Sequence, residues 1–415
     1  MLGRITLLAT VLALGTSAAL SAPLPLKRGV NVHDLLNWSP LNADGSYRQP
    51  PYRTVDEWLS AYRPLSDWPG GDEFVRIRAL GFDFVRMTVD PGPLLANGGA
   101  EREAALAVLK DRVGLALAAG LRVVLNLHGN SQVEAYSMAV VNAPADDPGL
   151  ANYLEMGADV AAMLAPLGVD KVAFEPFNEP AHYPCDSTGS DDWQRIMSGQ
   201  VAAVRAVAPE LTVVVTGACG GDVTGLTDID PSFDDPNLLY SFHMYEPHVF
   251  THQRLTGTDD FASGLPWPAS AGSPETVVAN LIAHMSAAGL GAAAQARNLA
   301  LVGGEIDAYF ARGWSEDDVT ARIGEAVTWA AEHGIPTRRL FMGEFGVILM
   351  SPDGRMGAFD ADRLRYITAV RQAVEAHDIA WGIWEYSSPF GMTVIRPTGP
   401  ALPDRPLLEA LGLSQ

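Results

Sequence analysis

The sequence predicts an α/β protein that folds as a single (β/α)8 barrel, a TIM barrel, with long insertions in its βα loops. Short apolar runs alternate with helical stretches, eight such units follow one another, and no composition shift or linker marks a second domain among the 415 residues. Near-continuous apolar strands that alternate with helices imply a parallel sheet covered by helices. Eight units favour a closed barrel over an open sheet.

The first 22 residues are typical of a cleaved secretory signal. Arg4 supplies a positive start, residues 5–15 form an apolar run too short to span a bilayer, and small residues at 16–22 suit a signal peptidase. No later segment is apolar for long enough to cross a membrane. We therefore expect one catalytic domain at 23–415, secreted or periplasmic, with no membrane contact.

The charge balance excludes some partners. Lys and Arg number 28 and Asp and Glu number 49, so the formal net charge is −21. A field of that sign repels phosphate backbones and anionic lipids, and we expect neither nucleic acid nor membrane as a partner. No basic patch is visible that would attract a polyanion. No cofactor and no metal are implied, and without a partner motif we expect a monomer.

Eight apolar runs are the predicted strands: 27–32, 82–87, 122–128, 171–178, 211–217, 238–245, 339–346 and 380–386. Between them, stretches such as 101–120 and 361–377 carry apolar residues at helical spacing. The strands therefore alternate with helices along the chain, as a (β/α)8 barrel requires.

Two glutamates stand at the ends of predicted strands. FEPFNEP (174–180) places Asn178 and Glu179 at the end of the fourth strand, and MGEFG (342–346) places Glu344 at the end of the seventh. These strands face each other across a barrel mouth, so we expect the two carboxyl groups about 5 Å apart. A hydrolase of glycosidic bonds needs one protonated and one ionised carboxyl group. The short gap leaves no room for an attacking water and predicts retention of configuration.

The NEP and GEFG motifs resemble those of glycoside hydrolase family five, the cellulase-type barrels with the acid/base on strand four and the nucleophile on strand seven. The resemblance extends from residues 28–32 to the last strand. It implies roles for eight residues in chain order: Arg86 keeps the nucleophile ionised, His128 is the third-strand histidine, Asn178 binds the sugar 2-hydroxyl, Glu179 is the acid/base, His243 and Tyr245 are the sixth-strand pair, Glu344 is the nucleophile, and Trp384 floors the subsite where the bond breaks.

Some features depart from that pattern or compete with it. Gly129 stands where many members carry a second histidine. Glu305, in GGEID (303–307), follows an apolar run and is an alternative nucleophile; we prefer Glu344 because GEFG is the closer match and Trp384 follows it by forty positions. Glu175 is expected to be a buried, hydrogen-bonded support rather than a third catalyst.

Two connections are too long to be simple loops. Residues 246–338 are expected to hold two helices, at about 274–296 and 316–333, and a Gly/Pro-rich stretch with Trp267. Residues 33–73 carry six aromatic residues: Trp38, Tyr47, Tyr52, Trp58, Tyr62 and Trp68. Insertions after barrel strands lie on the catalytic face, where aromatic side chains can stack on sugars. We favour packing of the insertions as the role of most of them, Trp58 and Tyr62 above all.

The two cysteines, Cys185 and Cys219, fall in the loops after the fourth and fifth strands. Neighbouring strands place these loops side by side, so a disulfide is geometrically reasonable in an oxidising compartment. A bridge there would brace the acid/base loop. A pair of free thiols is the alternative.

Two other functions fit the sequence less well than a two-glutamate hydrolase. A metal-dependent barrel hydrolase requires clustered His and Asp ligands, which the isolated His128 does not supply. A catalytically inactive carbohydrate-binding barrel has no need of both glutamates. The resemblance implies an endo-type enzyme on a β-linked polysaccharide, with β-1,4-glucan first. Mannan, xyloglucan, β-1,3-glucan or an exopolysaccharide stay open, as does exo action.

Overall fold

The computed structural model describes residues 22–37, 42–44, 46, 72–129, 136–185, 190–233, 235–253, 263–349, 357–388, 391–396 and 402–413. The predicted signal segment lies outside this part of the chain except for Ala22, and so do the six aromatic residues predicted in 33–73. Among the described residues, no helix combines the length and the apolar character that crossing a membrane requires.

The eight strands form a closed parallel barrel in sequence order, which confirms the predicted fold class. They are β1 (Arg28–Leu36), β2 (Phe84–Val89), β3 (Arg122–Leu127), β4 (Val172–Glu175), β5 (Thr212–Thr216), β6 (Leu238–Met244), β7 (Leu340–Phe345) and β8 (Ala380–Ile383). Six of these strands are buried along their whole length, because helices cover the outer face while side chains fill the interior.

The main helices around the barrel are α1 (Asp72–Ala79), α2 (Gly99–Ala118), α3 (Pro148–Leu164), α4 (Asp192–Val207), α5 (Val223–Asp228), α6 (Pro274–Ala287), α7 (Ala292–Arg312), α8 (Glu316–Glu332), α9 (Asp360–Glu375) and α10 (Arg405–Ala410). One-turn helices and 3-10 turns occupy Gly92–Leu95, Met138–Val141, Ala165–Leu167, Cys219–Gly221, His248–Thr251, Ala269–Ala271 and Thr337–Arg339.

An apolar layer closes the lower end of the barrel. Successive strand residues point to opposite faces, so every second residue faces the interior. The inward residues of this layer pack as one cluster: Leu24, Phe84, Val124, Ala173, Val214, Leu239, Phe341 and Ala380. β1 contributes Gly29, where a Cβ atom would lie 2.2 Å from the Phe84 ring. The ring therefore uses the space that a side chain on β1 would occupy.

Two strand boundaries differ from the prediction. β1 is longer than predicted and continues to Leu36, so the first connection begins later than residue 33. β4 was predicted to continue to 178 but ends at Glu175, since Pro176 has no backbone N–H to donate to a neighbouring strand. Asn178 and Glu179 therefore lie on the loop that follows β4.

The insertion between β6 and β7 holds more helix than predicted. The single helix expected at about 274–296 is two helices, α6 and α7, while the helix expected at 316–333 matches α8. The break falls at Gly289, whose φ of +79° suits a glycine, and Gly291 precedes the first turn of α7. The apolar run before Glu305 belongs to α7 and is not a strand.

A bulge in β7 turns Glu344 into the barrel. Phe242 of β6 pairs with Met342, but the next residue, His243, pairs with Glu344, so β7 has one extra residue here. The same offset occurs in its pairing with β8. Phe341 faces the interior, and strict alternation would point Glu344 outward toward the helices. The extra residue reverses that direction, as bulges beside functional sites do.

Two glycines test the packing. In Gly217→Ala, at the end of β5, the new Cβ would lie 2.3 Å from the backbone of Gly225 and Leu226, and we expect a loss of about 1–3 kcal/mol of stability. Gly324→Ala, inside α8 with no atom within 4 Å of the new Cβ, should gain about 0.5–1 kcal/mol. Thermal unfolding measures both. Equal midpoints for the two variants would contradict the packing around Gly217.

Candidate active site

A polar layer lies directly above the apolar layer inside the barrel. Two positions further along β1 to β6, the inward residues are fully buried and polar: Asn31, Arg86, Asn126, Glu175, Thr216 and Ser241. β7 and β8 contribute Gly343 and Gly382 at this level, and the Asn31 amide donates to the carbonyl oxygens of both, at 3.0 and 3.3 Å. The residues that face the cleft stand on this layer.

Arg86 is the centre of the polar layer. Its guanidinium donates to both oxygens of Glu175, at 2.6 and 3.2 Å, and to Glu344 Oε1 at 2.6 Å. It also donates to Asn31 Oδ1 at 2.9 Å and to Asn178 Oδ1 at 2.7 Å. Burial lowers the pKa of Arg86, but the charges of Glu175 and Glu344 outweigh burial and raise it above its ordinary value. The guanidinium is therefore a permanent cation paired with two carboxylates.

Glu344 is oriented by donors on both of its oxygens. Arg86 contacts Oε1, and the Tyr245 hydroxyl donates to Oε2 at 3.0 Å. Burial and the charges of Glu344 and Glu179 raise the pKa of Tyr245 well above its ordinary value, so the phenol keeps its proton and acts as a donor. The two donors thus hold both carboxyl oxygens of Glu344 in place at the border of the cleft.

Glu179 and Glu344 meet at His243. His243 Nδ1 lies 2.7 Å from Glu179 Oε1 and 3.7 Å from Glu344 Oε2. Burial lowers the pKa of His243, but the charge of Glu344 and the hydrogen bond to Glu179 raise it above its ordinary value. The three side chains have one polar atom each within 4.8 Å of the others, so the two carboxyl groups are close neighbours. Glu179 is the more exposed of the two, with 37% of its side chain accessible against 5% for Glu344.

One side of the cleft is an aromatic wall formed by His128 and Trp384, with His33 packed against both rings. The His128 ring is stacked near Trp384, with centroids 5.7 Å apart, and His33 contacts both rings at 5.0 and 4.7 Å. Burial lowers the pKa of His33 to about 3, with a further contribution from Arg86. Burial also lowers the pKa of His128 well below its ordinary value. Both rings are therefore neutral at neutral pH.

The opposite side is a polar wall formed by Asp222, Glu246, His248 and His252. Arg322 of α8 supports it from behind, with Nε 2.8 Å from Glu246 Oε1 and Nη2 3.4 Å from Asp222 Oδ2. The cleft between the two walls has a volume of about 450 Å³, and both glutamates border it. Since Arg322 comes from the insertion between β6 and β7, that insertion stabilises this wall.

A disulfide ties the loop that carries Glu179 to the next loop. Cys185, after β4, is bonded to Cys219, after β5. The turn at Cys219 also reaches back to the acid-bearing loop, since Gly220 N donates to Pro180 O at 3.0 Å. The bridge and this hydrogen bond hold the two loops together directly beside Glu179.

The eight residues predicted from the sequence meet in one cluster. Arg86, Asn178, Tyr245 and Glu344 are joined by hydrogen bonds, and His243 joins Glu179 to them. His128 and Trp384 complete the aromatic wall.

Two other predicted candidates lie elsewhere. Glu305 is exposed on the helix α7 and is not among the described residues that line the cleft, although its charge acts on His248. This position favours Glu344 over Glu305. Trp267 is fully buried against Phe250 and Tyr366, in the packing role that we favoured for the insertions.

The residues that support the site were not predicted from the sequence. His33 falls in a predicted connection, yet β1 extends through this residue, and His33 Nδ1 lies 2.9 Å from Thr88 Oγ1. Asn31, Asn126 and Ser241 were read as parts of apolar strands. The available signal was a polar residue two positions before a residue of the site, as Asn126 stands before His128.

The cluster of Glu179, His243 and Glu344 offers three atoms of the kind that bind metals. Arg86 and Tyr245 already direct hydrogen-bond donors at both oxygens of Glu344, and a cation would face the same guanidinium. The donor set therefore fits a pair of carboxyl groups that act directly on a substrate better than it fits a metal site.

Comparison with known proteins places this site in a family. The family model for cellulases, glycosyl hydrolase family 5, matches residues 52–389. The chain belongs to glycosyl hydrolase family 5. The match includes all eight residues of the cluster, and the family resemblance seen in the sequence is confirmed.

Relatives and solved structures resemble this chain over different shares of their length. Endoglucanase 3 of Fibrobacter succinogenes is 27% identical over 263 residues, which are 62% of this chain and 36% of that protein. The chain thus spans about a third of that relative. The cellulose synthase subunit Z of Clostridioides difficile superposes with a TM-score of 0.63 at 20% identity, over 93% of this chain and 99% of that one. A family 5 xyloglucanase of Bacteroides ovatus, in complex with a XXXG heptasaccharide, gives 0.64 at 18% identity, over 94% and 75%.

The disulfide can be tested without an activity assay. Thiol titration of the unreduced, denatured protein should find no free thiol at Cys185 or Cys219. The bridge spans 34 residues, and Cys185→Ser combined with Cys219→Ser should cost about 2–4 kcal/mol of stability. Thermal unfolding of wild type with and without reductant is the control. Two titratable thiols in the unreduced protein would disprove the bridge.

Proposed function

We propose that the chain is a retaining, endo-acting glycoside hydrolase of β-linked polysaccharide, with Glu344 as nucleophile and Glu179 as acid/base. The observation that carries the proposal is the close approach of the two carboxyl groups: an oxygen of Glu179 and an oxygen of Glu344 lie within 4.8 Å of each other. Retaining enzymes hold their carboxyl groups about 5–5.5 Å apart, whereas inverting enzymes leave about 6.5–9.5 Å for a water molecule.

The first half of the reaction uses the two groups in opposite senses. Glu344, oriented by the hydrogen bonds from Arg86 and Tyr245, attacks the anomeric carbon through a carboxylate oxygen and forms a glycosyl-enzyme ester as the bond to the departing oxygen breaks. Glu179 gives its proton to the departing oxygen. The contact of 2.7 Å between His243 Nδ1 and Glu179 Oε1 keeps a proton between these two groups beside the bond that breaks.

The second half reverses the proton transfer. Once the ester forms, Glu344 no longer carries a charge, and Glu179 is left as a carboxylate. It then takes a proton from a water molecule that attacks the anomeric carbon. Arg86 stays paired with Glu175 throughout, so its buried charge is not left alone while Glu344 is esterified.

The walls of the cleft support a neutral polysaccharide as substrate. Trp384 offers an indole face on which the apolar face of a pyranose can stack. The described acidic residues that border the cleft are Glu179, Asp222, Glu246 and Glu344, which disfavour a polyanion. β-1,4-Glucan is the first candidate, because the relatives include an endoglucanase. Mannan, xyloglucan, β-1,3-glucan and an exopolysaccharide of the producing cell are tested beside it.

The disulfide supports an extracytoplasmic site of action. Disulfides persist in oxidising compartments, and the bridge between Cys185 and Cys219 is consistent with the predicted export segment at 1–22. We infer that the chain acts in the periplasm or outside the cell.

The assignment of the two glutamates is tested by Glu344→Gln and Glu179→Gln on a panel of β-glucans, xyloglucan and β-mannans. Wild type should release reducing sugar from at least one polymer, and both variants should lose activity by about three orders of magnitude or more, since each removes a group needed in the transition state. Glu210→Gln, which changes an exposed glutamate just before β5 at the opposite end of the barrel, is the matched control and should keep wild-type activity. Unchanged activity in chelator separates this mechanism from a metal-dependent one.

A second pair of substrates separates the two roles. On dinitrophenyl β-cellobioside, whose leaving group needs no protonation, Glu179→Ala should form the glycosyl-enzyme and be rescued by azide, while Glu344→Ala should not. Binding of the polymer by wild type without turnover would instead indicate a carbohydrate-binding barrel.

Tyr245→Phe tests the orientation of the nucleophile. The change removes only the hydroxyl that donates to Glu344 Oε2 at 3.0 Å. Hydrogen bonds to charged groups contribute about 1.5–3 kcal/mol, so kcat/KM should fall about 10- to 100-fold while circular dichroism is unchanged. Steady-state kinetics on the preferred polymer measures the effect. A variant with wild-type kcat/KM would show that Arg86 alone orients Glu344.

A further inference from the structure

The two walls of the cleft have different parts in the reaction if the proposed function holds, and this inference rests on it. Trp384 and His128 lie on one side of the glutamate pair, directly after β8 and after β3. Asp222, Glu246 and His248 lie on the other, after β5 and β6. A sugar stacked on Trp384 is the one that Glu344 attacks, so the leaving group extends toward the polar wall.

His248 is the ring that the polar wall presents to that leaving group. It is exposed, borders the cleft, and stacks on His252 with centroids 3.9 Å apart and planes 8° apart. The His252 ring in turn meets Tyr245 edge-on, at 4.7 Å and 72°. Tyr245 holds Glu344, so the His248 plane is positioned through two ring contacts from the nucleophile itself.

The charge state of His248 suits contact with a neutral sugar. Burial lowers the pKa of His248 below its ordinary value, although the charges of Glu179 and Glu305 oppose that change. Burial also lowers the pKa of His252 to about 3, helped by His248. At neutral pH the pair is uncharged, and a flat, uncharged ring can pack against the apolar face of a pyranose.

The carboxylates around His248 supply acceptors for sugar hydroxyl groups. Asp222 and Glu246 border the same part of the cleft, and Arg322 fixes both. Carboxylates accept hydrogen bonds from hydroxyl groups and repel an acidic sugar. A ring platform flanked by fixed acceptors is therefore matched to a neutral, hydroxyl-rich pyranose.

We propose that His248 is the platform for the first sugar of the leaving group and determines which leaving groups the enzyme accepts. The sugar stacks on the part of the ring that faces the cleft, next to Glu179, which protonates the oxygen between this sugar and the one on Trp384. His248 acts on binding of the leaving group and takes no part in proton transfer.

Two substrates that differ on this side of the cleft test the proposal. Cellopentaose places a sugar against His248, whereas β-cellobiosyl fluoride has a fluoride ion as leaving group and places nothing there. For His248→Ala, kcat/KM on cellopentaose should fall about tenfold, from the loss of one ring contact, while kcat/KM on the fluoride stays within about twofold of wild type. His248→Phe, which keeps a flat ring, should recover most of the loss on cellopentaose.

A second exposed histidine, far from the cleft, provides the control variant. His377→Ala removes an exposed histidine just before β8, at the opposite end of the barrel, and should leave both substrates unchanged. Equal losses on both substrates, or no loss on cellopentaose, would overturn the role of His248 while the proposed function stands. If wild type, with the protein folded, hydrolyses neither these two substrates nor any polymer of the panel, the proposed function and this inference are overturned together.

Discussion

The buried charge of Arg86 is the constraint on which the site depends. A guanidinium with no solvent contact is tolerated only when carboxylates and amides surround it, because an unpaired buried charge costs several kcal/mol. Glu175 satisfies one edge of the group with two hydrogen bonds, and Glu344 completes the pairing. The side-chain oxygens of Asn178 and Asn31 accept further hydrogen bonds from the N–H groups of Arg86. The partners that this one buried arginine requires thus place Glu344 and Asn178 within a few ångströms of one another and beside Glu179.

The barrel provides polar partners for Arg86 because its interior side chains change from apolar in one layer to polar in the next. The lower interior layer is apolar, and the next is polar or glycine on every strand. Glycine at 382 leaves room for the Asn31 amide, since a Cβ there would lie 3.3 Å from Asn31 Nδ2 and 2.9 Å from the Gly343 carbonyl oxygen that accepts from it. The bulge in β7 then brings Glu344 inward to Arg86. Side-chain size and backbone register act together, and neither alone would place the carboxylate.

The sequence predicts the barrel and both glutamates, and the features that it does not predict have physical causes. The period of apolar runs predicted eight strands and their order, and strand ends pointed to Glu179 and Glu344 because the ends of parallel strands converge on one rim. The bulge in β7 was not accessible, since local register depends on pairing with β6 and β8 and not on the run itself. Apolar runs of strand and helix also look alike over a few residues, so α7 was missed where it precedes Glu305.

The two walls of the cleft differ in how they are built, and this difference bears on how substrate choice can vary. Trp384 and His33 lie on or directly beside barrel strands and touch one another, so the barrel itself holds this side of the cleft. The polar wall stands on loops and is supported by Arg322 from the insertion between β6 and β7. Residues of the polar wall can change while the Arg86 guanidinium stays buried and paired with its carboxylates. The barrel thereby fixes Glu344 and its partners, while the proposed recognition of the leaving group falls to parts of the chain that the buried charge does not constrain.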